Sequence, residues 1–116
     1  MDKNKSAYKL KGLPPIYYTN LDRSEDRKKY MEDQFNYWEI TNYTRISGYD
    51  GTGDNDLGDI LKGRYPDNMG PTDVGCCTSH LKSIEYWYNN SDTSCAIIME
   101  DDCDLSVVKN WPFTWK

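Results

Sequence analysis

The order of strand-like and helix-like segments is the feature that most constrains how this chain can fold. The β-branched and aromatic run "IYYTNL" predicts a first strand over residues 15–21. The charged segment that follows places Met31, Phe35 and Trp38 at helical spacing, which predicts a helix with one apolar face. The run "NYTRIS" then predicts a second strand over residues 43–47.

The second half of the chain continues this alternation after a long polar connection. Gly, Asp, Asn and Pro dominate residues 48–70, which predicts a loop. Apolar residues then recur in steps of three and four, at Val74, Cys77, Leu81, Ile84 and Tyr88. This spacing predicts a helix over residues 73–88 that packs Leu81 and Ile84 inward. The run "SCAIIME" predicts a third, nearly continuous apolar strand over residues 95–100.

Strands that alternate with helices are typical of an α/β fold with a parallel sheet. We therefore predict one three-layer α/β/α unit in which the three strands run parallel, with helices on both faces. The length of 116 residues allows one domain. Ligands of such folds bind beyond the carboxyl ends of the strands.

The composition of the chain argues against nucleic-acid binding and against a secretory or membrane-spanning segment. Asp and Glu total 19 against 14 for Lys and Arg, a net charge of −5, so the chain lacks the basic surface typical of nucleic-acid binding. Residues 1–13 form a polar N-terminal segment without the apolar core of a signal peptide, and no run is long enough for a transmembrane segment. We therefore predict a cytoplasmic protein. Its four cysteines lack metal-site spacing and are predicted to be free thiols: Cys76, Cys77, Cys95 and Cys103.

An acidic cluster follows the third predicted strand. Glu100, Asp101 and Asp102 are consecutive, and Asp104 lies two residues further on. Carboxylates this close repel one another, and a hard divalent cation such as Mg²⁺ or Mn²⁺ would relieve the repulsion. The alternative is an acidic turn that faces water. Polar residues also follow the other two predicted strands, so three polar clusters are expected to meet at the carboxyl edge of the sheet.

Four ordered blocks carry a resemblance to a known family: "IYYTNLDRSEDR", "RISGYDG", "VGCCTSHLKSIEYW" and "IIMEDD". Together they resemble the N-terminal part of glycosyltransferase family 25, the lipopolysaccharide and procollagen galactosyltransferases, over residues 14–104. The resemblance implies a Rossmann-like, GT-A type nucleotide-sugar half with an acidic metal motif, followed by an acceptor half. Residues 14–116 would then be the donor-binding part, with the acceptor half missing. The implied reaction transfers a hexose, galactose or glucose, from a UDP-sugar to a hydroxyl of a glycan or other acceptor, with inversion.

Under this resemblance the acidic cluster becomes the metal motif for Mn²⁺ or Mg²⁺. We assign Asp102 as a direct ligand, Glu100 to a metal-bound water, and Asp101 to the ribose or sugar of the donor. Asp104 forms a literal D-x-D with Asp102, so the register of the motif stays open. The cation would stabilise the charge that develops on the leaving diphosphate.

The resemblance also implies a set of donor-pocket residues: Asn20, Leu21, Asp22, Arg23, Arg27, Asp50, Gly51, Ser79, His80 and Lys82. Several have simpler alternatives. Arg27 is also consistent with a surface helix charge, Asp50 and Gly51 with an ordinary turn, His80 with a packed or capping residue, and Lys82 with a solvent-exposed side chain.

Three functions are compatible with these patterns. We favour a glycosyltransferase represented by its donor-binding part. The alternatives are a non-catalytic nucleotide-sugar-binding module or inactive truncated fragment, and a structural α/β domain without a ligand. Three aromatic residues near the C-terminus are predicted to pack back on the sheet or to form a homodimer contact: Trp111, Phe113 and Trp115.

Overall fold

A computed structural model describes residues 3–49 and 71–116, with side chains in the second part from residue 74 onward. Three strands, two α-helices and two 3₁₀ segments make up this part of the chain. In order they are a 3₁₀ segment at Ala7–Leu10, β1 at Ile16–Asn20, α1 at Glu25–Tyr37, β2 at Tyr43–Ser47, α2 at Pro71–Asn90, β3 at Ile97–Glu100 and a 3₁₀ segment at Leu105–Asn110.

The three described strands form one parallel sheet in the order β2-β1-β3. Ile16 of β1 lies opposite Tyr43 of β2 and Ile97 of β3. All five residues of β1 are buried, as expected for a central strand covered on both faces. The predicted α/β class with an all-parallel sheet is confirmed, and the arrangement is consistent with a Rossmann-like fold.

Successive residues of β1 contact helices on opposite faces of the sheet. The hydroxyl of Tyr18 donates a 2.6 Å hydrogen bond to Glu32 of α1, and its ring lies 5.5 Å from that of Phe35. The ring of Tyr17 lies 5.9 Å from that of Tyr86 on α2. Since neighbouring strand residues point to opposite faces, α1 and α2 cover different sides of the sheet.

The main core lies on the α1 face. Met31, Phe35 and Trp38 are buried there, as the helical spacing predicts. The described part of the N-terminal segment adds Ala7 and Leu10 to the same cluster. The second 3₁₀ segment closes the cluster with Leu105 and Val108. Residues from both ends of the chain therefore complete this core.

The predicted inward face of α2 is wrong. Leu81 and Ile84 are 52% and 46% exposed, whereas Thr78 and Ser83 are fully buried. The hydroxyl of Thr78 donates to the carbonyl of Val74 at 2.8 Å, and that of Ser83 donates to the carbonyl of Ser79 at 3.0 Å. Small hydroxyl residues that bond to their own helix can be buried without an unpaired polar atom, and they let a helix approach a sheet closely.

The third strand is shorter and less buried than predicted. It begins at Ile97, and Cys95 is exposed ahead of it. Ile97 and Ile98 are half-buried, and among the described strands β3 pairs only with β1. The apolar run therefore forms an edge strand of the described sheet.

The C-terminal aromatic residues are only partly covered. Trp111 packs against the core cluster and stacks on Phe113 with ring centroids 4.8 Å apart. Phe113 and Trp115 remain exposed, although the Trp115 amide donates to the Lys9 carbonyl at 2.8 Å. None of the four cysteines, all of which lie in the described part of the chain, forms a disulfide, as predicted. Over the residues with described positions, each helix is too short or too polar to cross a membrane.

Candidate functional site

Asn20, the last residue of β1, is the centre of the polar network at the carboxyl edge. It is 2% exposed. Its side-chain amide donates to Asp101 at 2.9 Å and to the carbonyl of Ser24 at 3.0 Å. Its side-chain oxygen accepts from Nε of Arg45 at 2.9 Å. One carboxamide thus links the end of β1 to an arginine of β2 and to the residue that follows β3.

Asp101, the middle residue of the acidic triplet, is buried against this network. It accepts from Asn20 through one oxygen and from Nη1 of Arg27 at 3.3 Å through the other. The Arg27 side chain reaches it from α1 and is 57% exposed. Both Asp101 oxygens therefore have protein partners, while part of the Arg27 guanidinium faces water.

Asp102, the next residue after the buried Asp101, is exposed. An open depression of about 370 Å³ lies between the start of α1 and the acidic triplet. Its lining consists of Asp26, Arg27, Tyr30, Asp101 and Asp102. One cationic and three acidic side chains thus border one solvent-accessible space at the carboxyl edge.

Asp22 is held on the β2 side of the same edge. One of its carboxylate oxygens accepts from Nη2 of Arg45 at 2.6 Å and from the hydroxyl of Ser47 at 2.8 Å. These two hydrogen bonds lower the pKa of Asp22 from its ordinary value. The neighbouring Arg23 is also exposed at this edge.

The chain leaving β2 is fixed against both β1 and α2. The Gly48 amide donates to the Asn20 carbonyl at 3.0 Å, and the Tyr49 amide donates to the Ser79 hydroxyl at 2.8 Å. A Cβ at Gly48 would lie 3.2 Å from that hydroxyl and 3.4 Å from a methyl carbon of Leu21. The Ser79 and Leu21 side chains can lie this close to position 48 because glycine carries no side chain.

Lys82 is engaged with this connection instead of being solvent-exposed. Its ammonium donates to the Ser47 carbonyl at 2.8 Å and lies 5.0 Å from the ring centroid of Tyr49. These contacts tie α2 to the end of β2. Asp50 and Gly51, which follow in sequence, lie outside the described residues.

Glu100 meets two side chains of α2. The Cys76 thiol donates to its Oε1 at 2.8 Å, and Nε2 of His80 lies 3.4 Å from the same oxygen. The hydrogen bond from Cys76, followed by the contact with His80, lowers the pKa of Glu100. Glu100 is therefore ionised at neutral pH and sits beside a thiol and an imidazole.

Asp104 lies at the start of the second 3₁₀ segment. Its carboxylate accepts from the Ser106 amide at 2.9 Å, which lowers its pKa. This contact makes Asp104 the N-cap of that segment. The acidic residues therefore differ in environment: Asp101 is buried, Asp104 caps a turn, and Glu100 contacts α2.

The family model for glycosyltransferase family 25, described as an LPS biosynthesis protein, matches residues 13–110. That match covers most of the 116 residues. The chain belongs to glycosyltransferase family 25. Comparison with curated proteins and with solved structures gives no match. Family membership confirms the resemblance carried by the four sequence blocks and indicates a glycosyltransferase, whose substrates are a sugar donor and an acceptor.

Two residues of this candidate site are missing from the site residues predicted from the sequence. Arg45 holds both Asn20 and Asp22, yet it was not predicted as a site residue, although it begins the block "RISGYDG" within the second predicted strand. An arginine within a parallel strand is itself a signal, because its charge requires acceptors near the strand end. Cys76 had a signal as well, since it precedes His80 by four residues and so lies on the same side of a helix.

Proposed function

We propose that this chain forms the donor-binding part of a glycosyltransferase that transfers a hexose, galactose or glucose, from a UDP-sugar. The acceptor is a hydroxyl of a glycan or other molecule, and the configuration at the sugar inverts. Membership of family 25 supports the reaction class. The observation that carries the donor assignment is Asp101, a buried acid at the carboxyl edge that joins Asn20 of β1 to Arg27 of α1.

Arg27 is the residue we assign to the donor diphosphate. It borders the open depression, and part of its guanidinium is free of Asp101 and faces water. Guanidinium groups bind phosphate oxygens through charge-assisted hydrogen bonds. Lys82 and Arg45 are assigned a different task, because Lys82 already holds the Ser47 carbonyl at the end of β2 and Arg45 already holds the Asn20 carbonyl at the end of β1.

Asp22 is the residue we assign to the uridine. Arg45 and Ser47 fix one of its oxygens, which keeps the carboxylate ionised and oriented at the carboxyl edge. An oriented, exposed carboxylate accepts hydrogen bonds from ribose hydroxyls or from the uracil imide. The two arginines therefore act at different points, Arg27 on the phosphates and Arg45 through Asp22.

The acidic residues provide a donor set for a hard cation. Asp102 is exposed beside the depression and Glu100 is ionised, so both offer the carboxylate oxygens that Mn²⁺ and Mg²⁺ accept. We assign Asp102 as the direct ligand of the cation and Glu100 as the acceptor of a cation-bound water. Asp104 is the less favoured ligand, because its carboxylate already caps a turn. When bound, the cation supplies charge stabilisation for the leaving diphosphate.

Paired arginine and lysine variants test the diphosphate assignment. Arg27→Gln removes the guanidinium at the depression, while Lys28→Gln removes a charge from the next, exposed position of α1. Calorimetry with UDP-glucose and UDP-galactose in Mn²⁺ should show affinity about tenfold weaker for Arg27→Gln and unchanged for Lys28→Gln. Equal affinities in the two variants would remove Arg27 from the donor site.

Product analysis separates the enzyme from a binding module. Release of UDP from a UDP-hexose with transfer to a glycan hydroxyl supports the enzyme. Donor binding without release supports a non-catalytic nucleotide-sugar-binding module. The homodimer through the C-terminal aromatic residues and the cytoplasmic location stay predictions.

A further inference from the structure

A second kind of ligand set lies at the contact between α2 and β3. Cys76 and His80 are four residues apart on α2, and Glu100 ends β3. The thiol sulfur, an imidazole nitrogen and a carboxylate oxygen of these residues lie within 4.8 Å of one another. The sulfur is 2.8 Å and Nε2 is 3.4 Å from the same Glu100 oxygen.

These separations suit a small tetrahedral ion. Zinc binds sulfur at about 2.3 Å and nitrogen or oxygen at about 2.0 to 2.2 Å, so its ligand atoms lie about 3.3 to 3.8 Å apart. The 3.4 Å separation between His80 and Glu100 falls within that range, the 2.8 Å separation between Cys76 and Glu100 is shorter, and the third separation is at most 4.8 Å. Small side-chain rotations would therefore place all three ligand atoms around one ion. The side chains are also reachable from solvent, since His80 is 36% and Glu100 47% exposed.

We propose that Cys76, His80 and Glu100 form a zinc site with a fourth position open to water. The donor set selects the metal, because thiolate and imidazole ligands suit zinc whereas Mg²⁺ requires oxygen ligands. This site differs from the hard-cation site assigned to Asp102, although both use Glu100. The proposal does not depend on donor binding, because zinc is tested without nucleotide.

Zinc binding at this site releases one proton from the protein. Zn²⁺ bonds to the Cys76 sulfur as the thiol releases its proton to solvent. His80 binds in its neutral form through Nε2, and Glu100 binds as a carboxylate, because these are the forms in which imidazole and carboxyl groups ligate metals. The hydrogen bond from the thiol to Glu100 is then replaced by bonds from both residues to the ion. Three protein ligands leave the open position that is typical of non-structural zinc sites.

Metal titrations on the reduced chain test this site. Co²⁺, which replaces zinc and is coloured, should give a thiolate charge-transfer band at one ion per chain in the wild type. Cys76→Ser should abolish that band. The matched control is Cys77→Ser, which removes the adjacent, exposed cysteine and should leave the band unchanged.

Zinc competition against a chromophoric chelator gives the affinities. His80→Gln and Glu100→Gln should each weaken zinc binding by at least about tenfold. Even the loss of a residue that only hydrogen-bonds to a metal ligand weakens metal binding by about tenfold or more. Both side chains lie at the surface, and circular dichroism checks that each variant is folded. A charge-transfer band that survives Cys76→Ser, or zinc affinities in His80→Gln and Glu100→Gln equal to the wild type, would overturn the proposal.

Discussion

Replacing Asn20 with alanine should cost more stability than any other polar substitution at the carboxyl edge. The side chain makes three hydrogen bonds at 2% exposure, two of them to the charged groups of Asp101 and Arg45. A hydrogen bond to a charged partner contributes about 1.5 to 3 kcal/mol, and a neutral one about 1 kcal/mol. Because Arg27 and Asp22 still hold Asp101 and Arg45, part of this is recovered. We expect a net loss of about 3 kcal/mol.

Urea unfolding followed by circular dichroism measures this loss. With a slope of about 1.5 kcal/mol per molar urea, a loss of about 3 kcal/mol lowers the midpoint by about 2 M. Asn90→Ala is the matched control, because the exposed Asn90 amide donates only to the Tyr86 carbonyl in its own helix. Its free energy of unfolding should change by less than about 0.5 kcal/mol. A loss below about 1 kcal/mol for Asn20→Ala, or one equal to that of Asn90→Ala, would refute the reasoning.

Other predictions concern Tyr18 and α2. Burial and the hydrogen bond to Glu32 raise the pKa of Tyr18 above its ordinary value, because they favour the neutral hydroxyl in the folded state. The contribution of Tyr18 to the free energy of unfolding is therefore complete below about pH 10, where the unfolded chain also keeps this proton, and is lost as the pH rises further. Urea titrations at about pH 8 and about pH 11 should therefore show that Tyr18→Phe loses less free energy of unfolding between the two pH values than the wild type does. The control Tyr88→Phe, at an exposed position, should lose as much as the wild type. Identical losses in all three proteins would contradict this. On α2, Leu81→Gln should change the free energy of unfolding by less than about 0.5 kcal/mol, while Ser83→Leu, at a fully buried position, should cost about 1 to 3 kcal/mol. The reverse order in urea melts would contradict the observed helix face.

The elements that sequence alone predicts well are those with one strong periodic signal. The strand β1 is buried along its whole length, and its β-branched and aromatic residues mark it clearly. The helix α1 has a single apolar face at Met31 and Phe35 against a charged background. In both cases the local pattern and the tertiary environment favour the same structure, so the prediction succeeds.

The helix α2 shows where that logic fails. Its apolar residues are spaced correctly for a buried face, yet Leu81 and Ile84 are exposed while Thr78 and Ser83 are fully buried. A pattern of hydrophobic residues predicts that serine and threonine face outward. Within this helix, however, the hydroxyls of Thr78 and Ser83 donate to backbone carbonyls of the preceding turn, so both residues can be buried. The close approach of α2 at Gly48 and Ser79 favours small side chains, and a single sequence does not reveal that distance.

The site was predictable in position but not in detail. Parallel strands bring Asn20, Asp22 and Asp101 to one edge, and the topology alone requires this. The partner of each acid depends on side-chain geometry. The structure therefore had to show that Asp101 pairs with Arg27 and that Glu100 contacts Cys76, because the sequence does not predict either contact.

Metal-dependent UDP binding in Asp102→Asn tests the central proposal most directly. The substitution keeps the shape of an exposed side chain and removes one ligand charge, so folding should hardly change. Asp92→Asn is the matched control, because exposed Asp92 precedes β3 and lies toward the opposite end of the sheet. Calorimetry should show UDP affinity that rises at least about tenfold with Mn²⁺ in the wild type and in Asp92→Asn, and much less in Asp102→Asn. Equal UDP affinity in Asp102→Asn and wild type, or no dependence on Mn²⁺ in either, would contradict the assignment of the acidic triplet as the donor's metal motif.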